Sequence, residues 1–212
     1  MPTKTQIDVN VKATPNIKAT ASSSRDHLIE VGLELMRKHG YGATGLQEIL
    51  EQAGVPKGSF YHHFSSKEEF AAVIIERYAA MAGEHATGVL SNKRQAPLKR
   101  LRRYFEELIQ MAGQLAPIQG CLLGSLSLEI AGDSPLLQDR LKSNFAIWQA
   151  IVATVLREAV DKGDLPKFTN SEALAGFVLN SWEGALLRSQ ADKSDAPLKD
   201  FLHFIFEELL AE

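Results

Sequence analysis

One stretch decides the fold: residues 44–70 read TGLQEILEQAGVPKGSFYHHFSSKEEF. Thr44 followed by Gln47, and Ser66 followed by Glu69, have the spacing of a capping box, in which each side chain satisfies a free backbone N–H of a helix's first turn. The stretch therefore predicts one helix after Thr44 and another after Ser66. Between them lies room for a third, short helix.

The short middle helix and the turn before it are also predicted from the residues. Pro56 suits the first turn of a helix, because its missing N–H costs nothing there. The three residues before it, Ala53-Gly54-Val55, form a glycine-containing turn of the length that sets two helices at a steep angle in a helix-turn-helix. Apolar residues at helical spacing predict the face on which the pair packs: Leu46, Ile49, Leu50, Ala53 and Val55.

The middle helix should display a polar and aromatic run. We expect Phe60 and Phe64 to point inward, which leaves an exposed set: Lys57, Ser59, Tyr61 and His62. Small hydrogen-bonding residues, a lysine, a tyrosine and a histidine at a helix start suit contact with phosphates and base edges. An ordinary helical hairpin would explain the caps and the apolar spacing, but not this exposed run.

Here the chain resembles the DNA-binding signature of TetR-type repressors. The matching residues are Tyr41-Gly42, Ile49, Ala53-Gly54-Val55, Lys57-Gly58, Tyr61, His63-Phe64 and Ser66-Lys67-Glu68. The resemblance implies a helix-turn-helix that binds a palindromic operator in double-stranded DNA, with Lys67 meeting a phosphate at the start of the next helix. The predicted DNA-binding residues are Thr44, Gln47, Lys57, Gly58, Ser59, Tyr61, His62 and Lys67.

Composition sets weaker limits. The 212 residues are 45% apolar and 23% charged, which is enough to bury a core. The net charge is −3, so the positions of the cations, not their number, must carry any argument for nucleic-acid binding. The single cysteine, Cys121, excludes an intramolecular disulfide. Without a membrane-length apolar run or a signal core, we expect a cytoplasmic protein with no cofactor and no metal.

Outside the opening stretch the pattern predicts helices only, about nine in all, and thus an all-α fold. Residues 1–23 read as a disordered arm, or alternatively as an arm that touches DNA. Residues 24–70 are predicted to form the helix-turn-helix domain. Residues 71–212 are predicted to form a helical ligand-binding and dimerisation domain. Ser24 should cap the first helix, which should end near His39.

Several further signals place the later helices. Thr169 and Glu172 repeat the capping box, and Ser134-Pro135 is a cap followed by a first-turn proline. Residues 116–129 fit a tightly packed helix better than a strand. A basic cluster is predicted to be a solvated face paired with acidic groups, with a second nucleic-acid patch as the alternative: Lys93, Arg94, Lys99, Arg100, Arg102 and Arg103.

The last two helices are candidates for a homodimer interface. One helix-turn-helix reads too few base pairs, whereas a dimer places two recognition helices about 34–36 Å apart. Small residues would allow close approach and apolar ones would form the centre: Gly176, Ser181, Gly184, Phe201, Ile205 and Phe206. TetR-type proteins dimerise through these helices. The alternative is that the same residues close the protomer's own core.

The resemblance also implies a ligand cavity among the middle helices, whose occupation changes the spacing of the two DNA-binding heads. The segments 120–122 and 182–188 resemble the NemR-like and AcuR-like branch, which answers to reactive electrophiles or small unsaturated acids. The candidate ligand or sensing residues are Cys121, Tyr104, Trp148, Trp182 and Arg188. Cys121 is either a reactive sensor or a small buried hydrophobe. Arg188 either grips a carboxylate or pairs with Glu183.

The predicted function is therefore a ligand-responsive dimeric transcriptional repressor and not an enzyme. A Cys121-dependent enzyme would need a base and an oxyanion site. Four of the six histidines lie in the predicted DNA-binding head, and His85 and His203 are isolated in sequence. A helical interaction module that has lost DNA binding would not need the Lys57-to-His63 run.

Overall fold

The computed structural model describes residues 23–113, 120–130 and 132–211. Within these ranges there are nine α-helices and no strand, which confirms the all-α prediction. They are α1 (Ser24–Ala43), α2 (Leu46–Ala53), α3 (Lys57–His63), α4 (Lys67–Leu90), α5 (Pro97–Gly113), α6 (Leu122–Ile130), α7 (Pro135–Lys162), α8 (Ser171–Asp192) and α9 (Ala196–His203), the last continuing into a π-helical segment, Phe204–Leu209. The predicted arm lies outside the described residues except for Ser23.

The start of α1 lies one residue earlier than predicted. Ser23, not Ser24, is the N-cap, and its hydroxyl accepts a hydrogen bond from the Asp26 backbone N–H at 3.2 Å. Adjacent serines offer the same capping oxygen. The sequence therefore marks the start of the helix but not which serine caps it.

The end of α1 differs more. The helix does not stop near His39 but kinks at Gly40 and continues to Ala43. Gly40 has φ 82° and ψ 174°, a region that only glycine occupies readily. Polar contacts hold the kinked turn, because Thr44 Oγ1 donates to the Gly40 carbonyl at 2.6 Å and the Gly42 N–H donates to Glu129 Oε2 at 3.0 Å.

Replacing Gly40 by alanine should therefore destabilise the protein. The positive φ alone costs about 1–3 kcal/mol for a residue with a Cβ, and that Cβ would also collide with the Glu129 carboxylate. Gly42→Ala is the matched control, since its Cβ would meet Glu129 Oε2 at an ordinary 3.7 Å. Urea unfolding followed by helical circular dichroism measures the difference. Equal midpoints for the two variants would contradict this account of the kink.

The caps around the turn motif are partly as predicted. Ser66 caps α4 and accepts from the Glu69 N–H at 3.0 Å. The prediction of a capping box formed by Thr44 and Gln47 is wrong, because the N-cap of α2 is Gly45, which has no side chain to cap the helix. Thr44 is fully buried, and its hydroxyl bonds to the end of α1 instead.

The later helix starts show the same pattern. Ser134 caps α7 as predicted, accepting from the Leu137 N–H at 3.1 Å. The Thr169–Glu172 box is wrong, since α8 is capped by Asn170, which accepts from the Ala173 N–H at 3.0 Å. Residues 122–130 are helical, which confirms the predicted helix there, whereas Gly120 and Cys121 precede it.

An aromatic cluster forms the core of the head, the part of the protein made of α1, α2, α3 and the start of α4. The ring of Phe60 lies 5.3 Å from those of Phe64 and Phe70, and all three side chains are buried. The first two residues therefore point inward, as predicted. Glycine at position 54 takes a left-handed conformation (φ 63°) and ends α2, which turns the chain into α3.

The remaining helices form a second packed body. Helix α4 packs on α1 of the head and on α5 and α7 of the body, so it belongs to both; α8 packs between α7 and α9. Four of the six residues in the basic cluster are paired with acidic groups, as predicted: Lys93 and Arg100 with Glu158, Arg102 with Glu106 and Glu207, and Arg103 with Glu107. Arg100 is an exception to the solvated face, because its side chain is fully buried. Among the described helices, none combines the length and hydropathy of a membrane span.

Candidate nucleic-acid interface and ligand cavity

Helix α3 presents the predicted polar run to solvent. Lys57, Gly58 and His62 are exposed, Tyr61 is 50% exposed and Ser59 is half-buried. The helix is held from behind by its buried phenylalanines. Its outer face is therefore free to meet another molecule without any change in the protomer.

The other predicted DNA-binding residues are placed differently. Gln47 is exposed on α2, where its amide donates to Glu51 Oε1 at 2.8 Å. Lys67 donates to the Tyr41 carbonyl at 2.7 Å and lies 4.2 Å from the centre of the Tyr41 ring, and burial lowers its pKa. Its charge therefore ties α4 to the end of α1. The prediction that Thr44 binds DNA is wrong, because its hydroxyl is buried and not available to DNA.

A cavity of about 350 Å³ lies in the body, between α4, α5, α7 and α8. Four predicted residues line it: Tyr104, Cys121, Trp148 and Trp182. Arg188 does not. Its side chain is 70% exposed on the outer side of α8 and pairs with Asp192 at 3.0 Å, so the predicted pairing with Glu183 is also wrong.

The Cys121 thiol is buried in the cavity wall beside Glu183 and the Tyr78 hydroxyl. Burial, with the Glu183 carboxylate next to it, raises the pKa of the thiol to about 12. Burial also raises the pKa of Glu183, whose Oε1 has no hydrogen-bond partner among the described residues. The flanking glycines make room for α8, since a Cβ at Gly124 would press on the Glu183 carboxylate.

Arg37 and Tyr78 are among the cavity residues that the sequence did not predict. Arg37 comes from α1 and Tyr78 from α4, and the guanidinium carbon lies 5.9 Å from the centre of the tyrosine ring. In the sequence, Arg37 lies near the predicted end of the first helix, where a cation suits the helix dipole. Only the tertiary packing of the head on the body carries it to the cavity.

The residues predicted for a dimer interface on the last two helices lie at different depths, and Ser181, Phe201 and Ile205 line one groove. Phe201 and Ile205 are buried within the protomer, Phe201 against Phe105 at 5.0 Å between ring centres, and half-buried Phe206 lies 6.2 Å from the same ring. Gly176 faces Gln149 of α7.

Ser181 and Gly184 remain at the surface of α8. A mainly apolar groove lies between α8, α9 and the π-helical segment, and two acidic residues border it. It is lined by Phe177, Ser181, Ala185, Pro197, Asp200, Phe201, Phe204, Ile205, Glu208 and Leu209. Phe177 and Phe204 are 54% and 61% exposed. An outer apolar face of this kind is suited to association.

The fold and these surfaces define a helical DNA-binding regulator with a small-molecule cavity. Residues 28–74 match the family described as "Bacterial regulatory proteins, tetR family", and residues 97–205 match "Tetracyclin repressor-like, C-terminal domain". The chain belongs to the TetR family of bacterial transcriptional regulators.

Individual relatives agree over most of the chain. The HTH-type transcriptional repressor DhaR of Mycobacterium sp. (strain GP1) is 32% identical over 186 residues, 88% of this chain and 92% of DhaR. The transcriptional regulator AcuR of Cereibacter sphaeroides is 33% identical over 190 residues, 90% of this chain and 87% of AcuR. The repressor NemR of Escherichia coli K12 is 31% identical over 189 residues, 87% of this chain and 93% of NemR. The similarity to NemR and AcuR confirms the predicted branch.

Solved structures agree as well. Regulatory protein TetR from Rhodobacter sphaeroides has a TM-score of 0.82 at 32% identity and covers 88% of this chain and 98% of its own. The reduced form of E. coli NemR also has a TM-score of 0.82, at 28% identity, with 88% and 96% covered.

Proposed function

We propose that this protein is a homodimeric transcriptional repressor that binds a palindromic operator through α3 of each protomer. The observation that carries this proposal is the outward face of α3, where Lys57, Tyr61 and His62 are exposed while Phe60 and Phe64 hold the helix from inside. A recognition helix needs this division, because its outer side chains must reach base edges and phosphates without unfolding the head. As a bacterial transcription regulator it works in the cytoplasm.

Dimerisation through α8 and α9 supplies the second head. The apolar groove leaves Phe177 and Phe204 exposed, and burying them against a second copy would remove apolar surface from water. Two heads joined in this way would read half-sites about 34–36 Å apart. The head is assigned to residues 24–70 and the body to residues 71–212.

Release is assigned to a small molecule in the cavity. Helix α4 begins in the head at Lys67 and lines the cavity from Tyr78 to Ala86, so a ligand that favours one position of α4 also favours one position of the head. A ligand shifts such an equilibrium only by its difference in affinity for the two states. A movement of a few ångströms in head spacing would break the match to the groove.

A gel-shift assay on the DNA upstream of the protein's own gene tests the function. We expect one retarded complex of dimer stoichiometry and its loss on adding an effector from a panel of electrophiles and small acids, including acrylate. Binding to unrelated DNA with equal affinity, at a stated salt concentration, would contradict a specific operator.

An enzymatic role is not proposed. A nucleophilic cysteine acts as the thiolate, and both burial and Glu183 favour the neutral thiol of Cys121. The residue therefore serves better as part of the cavity wall. For the same reason we favour a non-covalent effector over a reactive electrophile.

Slow alkylation of Cys121 is the expected consequence. With the pKa of the thiol raised to about 12, far less thiolate is present at pH 7 than in an unperturbed thiol. Mass spectrometry should therefore show N-ethylmaleimide labelling that is much slower in the native protein than in denaturant. A Cys121→Ser protein should still leave its operator when a non-covalent effector binds. Rapid native labelling, with release lost in Cys121→Ser, would instead make the thiol the sensor.

A further inference from the structure

The cavity holds one charged side chain among its described lining residues, Arg37. The side chain is half-buried and its guanidinium lies over the Tyr78 ring, but the buried Nε atom has no hydrogen-bond partner. No ion pair joins Arg37 to a carboxylate in the part of the chain that is described. A buried donor that has left water without a partner is costly, more so when it is charged. An anion in the cavity would offset that cost.

A second unused donor lies in the same cavity. Trp148 Nε1 is buried and makes no well-formed hydrogen bond, although it lies close enough to the Tyr104 hydroxyl to favour ionisation of the phenol slightly. Burial outweighs this effect and raises the pKa of Tyr104, so its hydroxyl remains a donor at neutral pH. An indole and a guanidinium can only donate. The ligand must therefore supply acceptors.

The rest of the lining is aromatic and apolar, with Tyr78, Tyr104, Trp148 and Trp182 among its walls. The volume, about 350 Å³, is at the lower end of the range for small-molecule pockets. Such walls favour a flat ring that stacks or meets them edge-on. The buried carboxyl group of Glu183 lies beside Cys121, and Arg37 enters the cavity from α1 beside Tyr78.

We propose that the effector is a small aromatic monocarboxylate whose carboxylate is bound by Arg37, with Trp148 as a second donor. This deepens the proposed function, since it names the class of ligand for the same cavity. The carboxylate lies at the α1 side and the ring lies between the aromatic walls. Arg37 then determines specificity for acids over neutral molecules of the same shape.

The position of Arg37 also links a ligand in the cavity directly to α1, which belongs to the head. Arg37 lies in α1 three residues before the kink at Gly40, and the kinked turn carries Tyr41, whose carbonyl binds Lys67 of α4. A carboxylate that draws the guanidinium into the cavity therefore acts on α1 as well as on α4. Ligand binding and head position are coupled through one side chain.

Binding to the DNA-free protein tests the proposal separately from operator binding. Cinnamate and benzoate are titrated against the full-length dimer, with tryptophan fluorescence as the signal, and cinnamamide and benzamide serve as neutral probes of the same shape. We expect the acids to bind at least about tenfold more tightly than the amides, as suits a charge-assisted contact. Arg37→Gln should remove this preference, whereas Arg37→Lys should retain part of it. Arg188→Gln, which removes an exposed arginine outside the cavity, should change nothing.

The outcomes separate the two proposals. Equal binding of acids and amides, no binding of either acid, or an acid preference that survives in Arg37→Gln would each overturn the assignment of Arg37. The same variant is then tested on operator DNA, where cinnamate should release it from its complex much less than it releases the wild type. If the unliganded wild type did not bind its operator, the proposed function would be contradicted, whatever the result of the ligand titrations.

Discussion

A Phe204→Asp protein is expected to be monomeric and to bind its operator about a hundredfold or more weakly than the wild type. Phe204 is 61% exposed in the apolar groove, next to Phe177 and Leu209. A carboxylate placed in an apolar interface must lose its water without gaining a partner. The monomer then binds each half-site alone, and linking two binding modules contributes about 10²–10⁴ in affinity.

Analytical ultracentrifugation and gel shifts measure the two effects together. Phe168→Asp is the matched control, because Phe168 is 91% exposed in the loop before α8 and lies outside the groove. It should remain dimeric and bind DNA normally. If Phe204→Asp also remained a dimer with full affinity, the groove would not be the interface.

The groove shows where sequence analysis reaches its limit. Apolar residues at helical spacing were correctly placed on α8 and α9, but the pattern does not tell which of them face the protomer and which face a partner. Phe201 and Ile205 pack on the core, whereas Phe177 and Phe204 lie outside. The π-helical segment from Phe204 onward changes the helical phase, so spacing alone could not assign the faces.

Helix caps were predicted correctly where no neighbouring residue could take the capping position. Ser66 and Ser134 were correctly predicted as caps. Thr44 and Thr169 were not, because the next residue, Gly45 or Asn170, takes the capping position. The exposed face of α3 followed from one short run. Arg37 could not have been found in this way, because its place in the cavity depends on how α1 packs against α4, which is a tertiary fact.

Tyr61→Ala should weaken operator binding by roughly 30-fold or more without unfolding the head. One good contact to a base or phosphate contributes about 1–3 kcal/mol, and each dimer loses it twice. Tyr61 is half exposed, and its ring packs against Phe60 of the core at 5.4 Å between ring centres. The melting temperature should therefore change little. A Tyr61→Phe variant distinguishes the contribution of the hydroxyl from that of the ring. If Tyr61→Ala bound the operator as tightly as the wild type, the placement of α3 in the DNA interface would be wrong.

Lys57→Ala should act differently, because a lysine at the start of α3 suits a phosphate better than a base. Affinity should fall for all sequences alike, and the slope of log affinity against log salt should become shallower by about two, one for each protomer. Lys142→Ala, an exposed lysine on α7 in the body, is the control that removes the same charge away from α3. If both lysine variants changed the salt slope equally, net charge rather than the position of Lys57 would account for DNA binding.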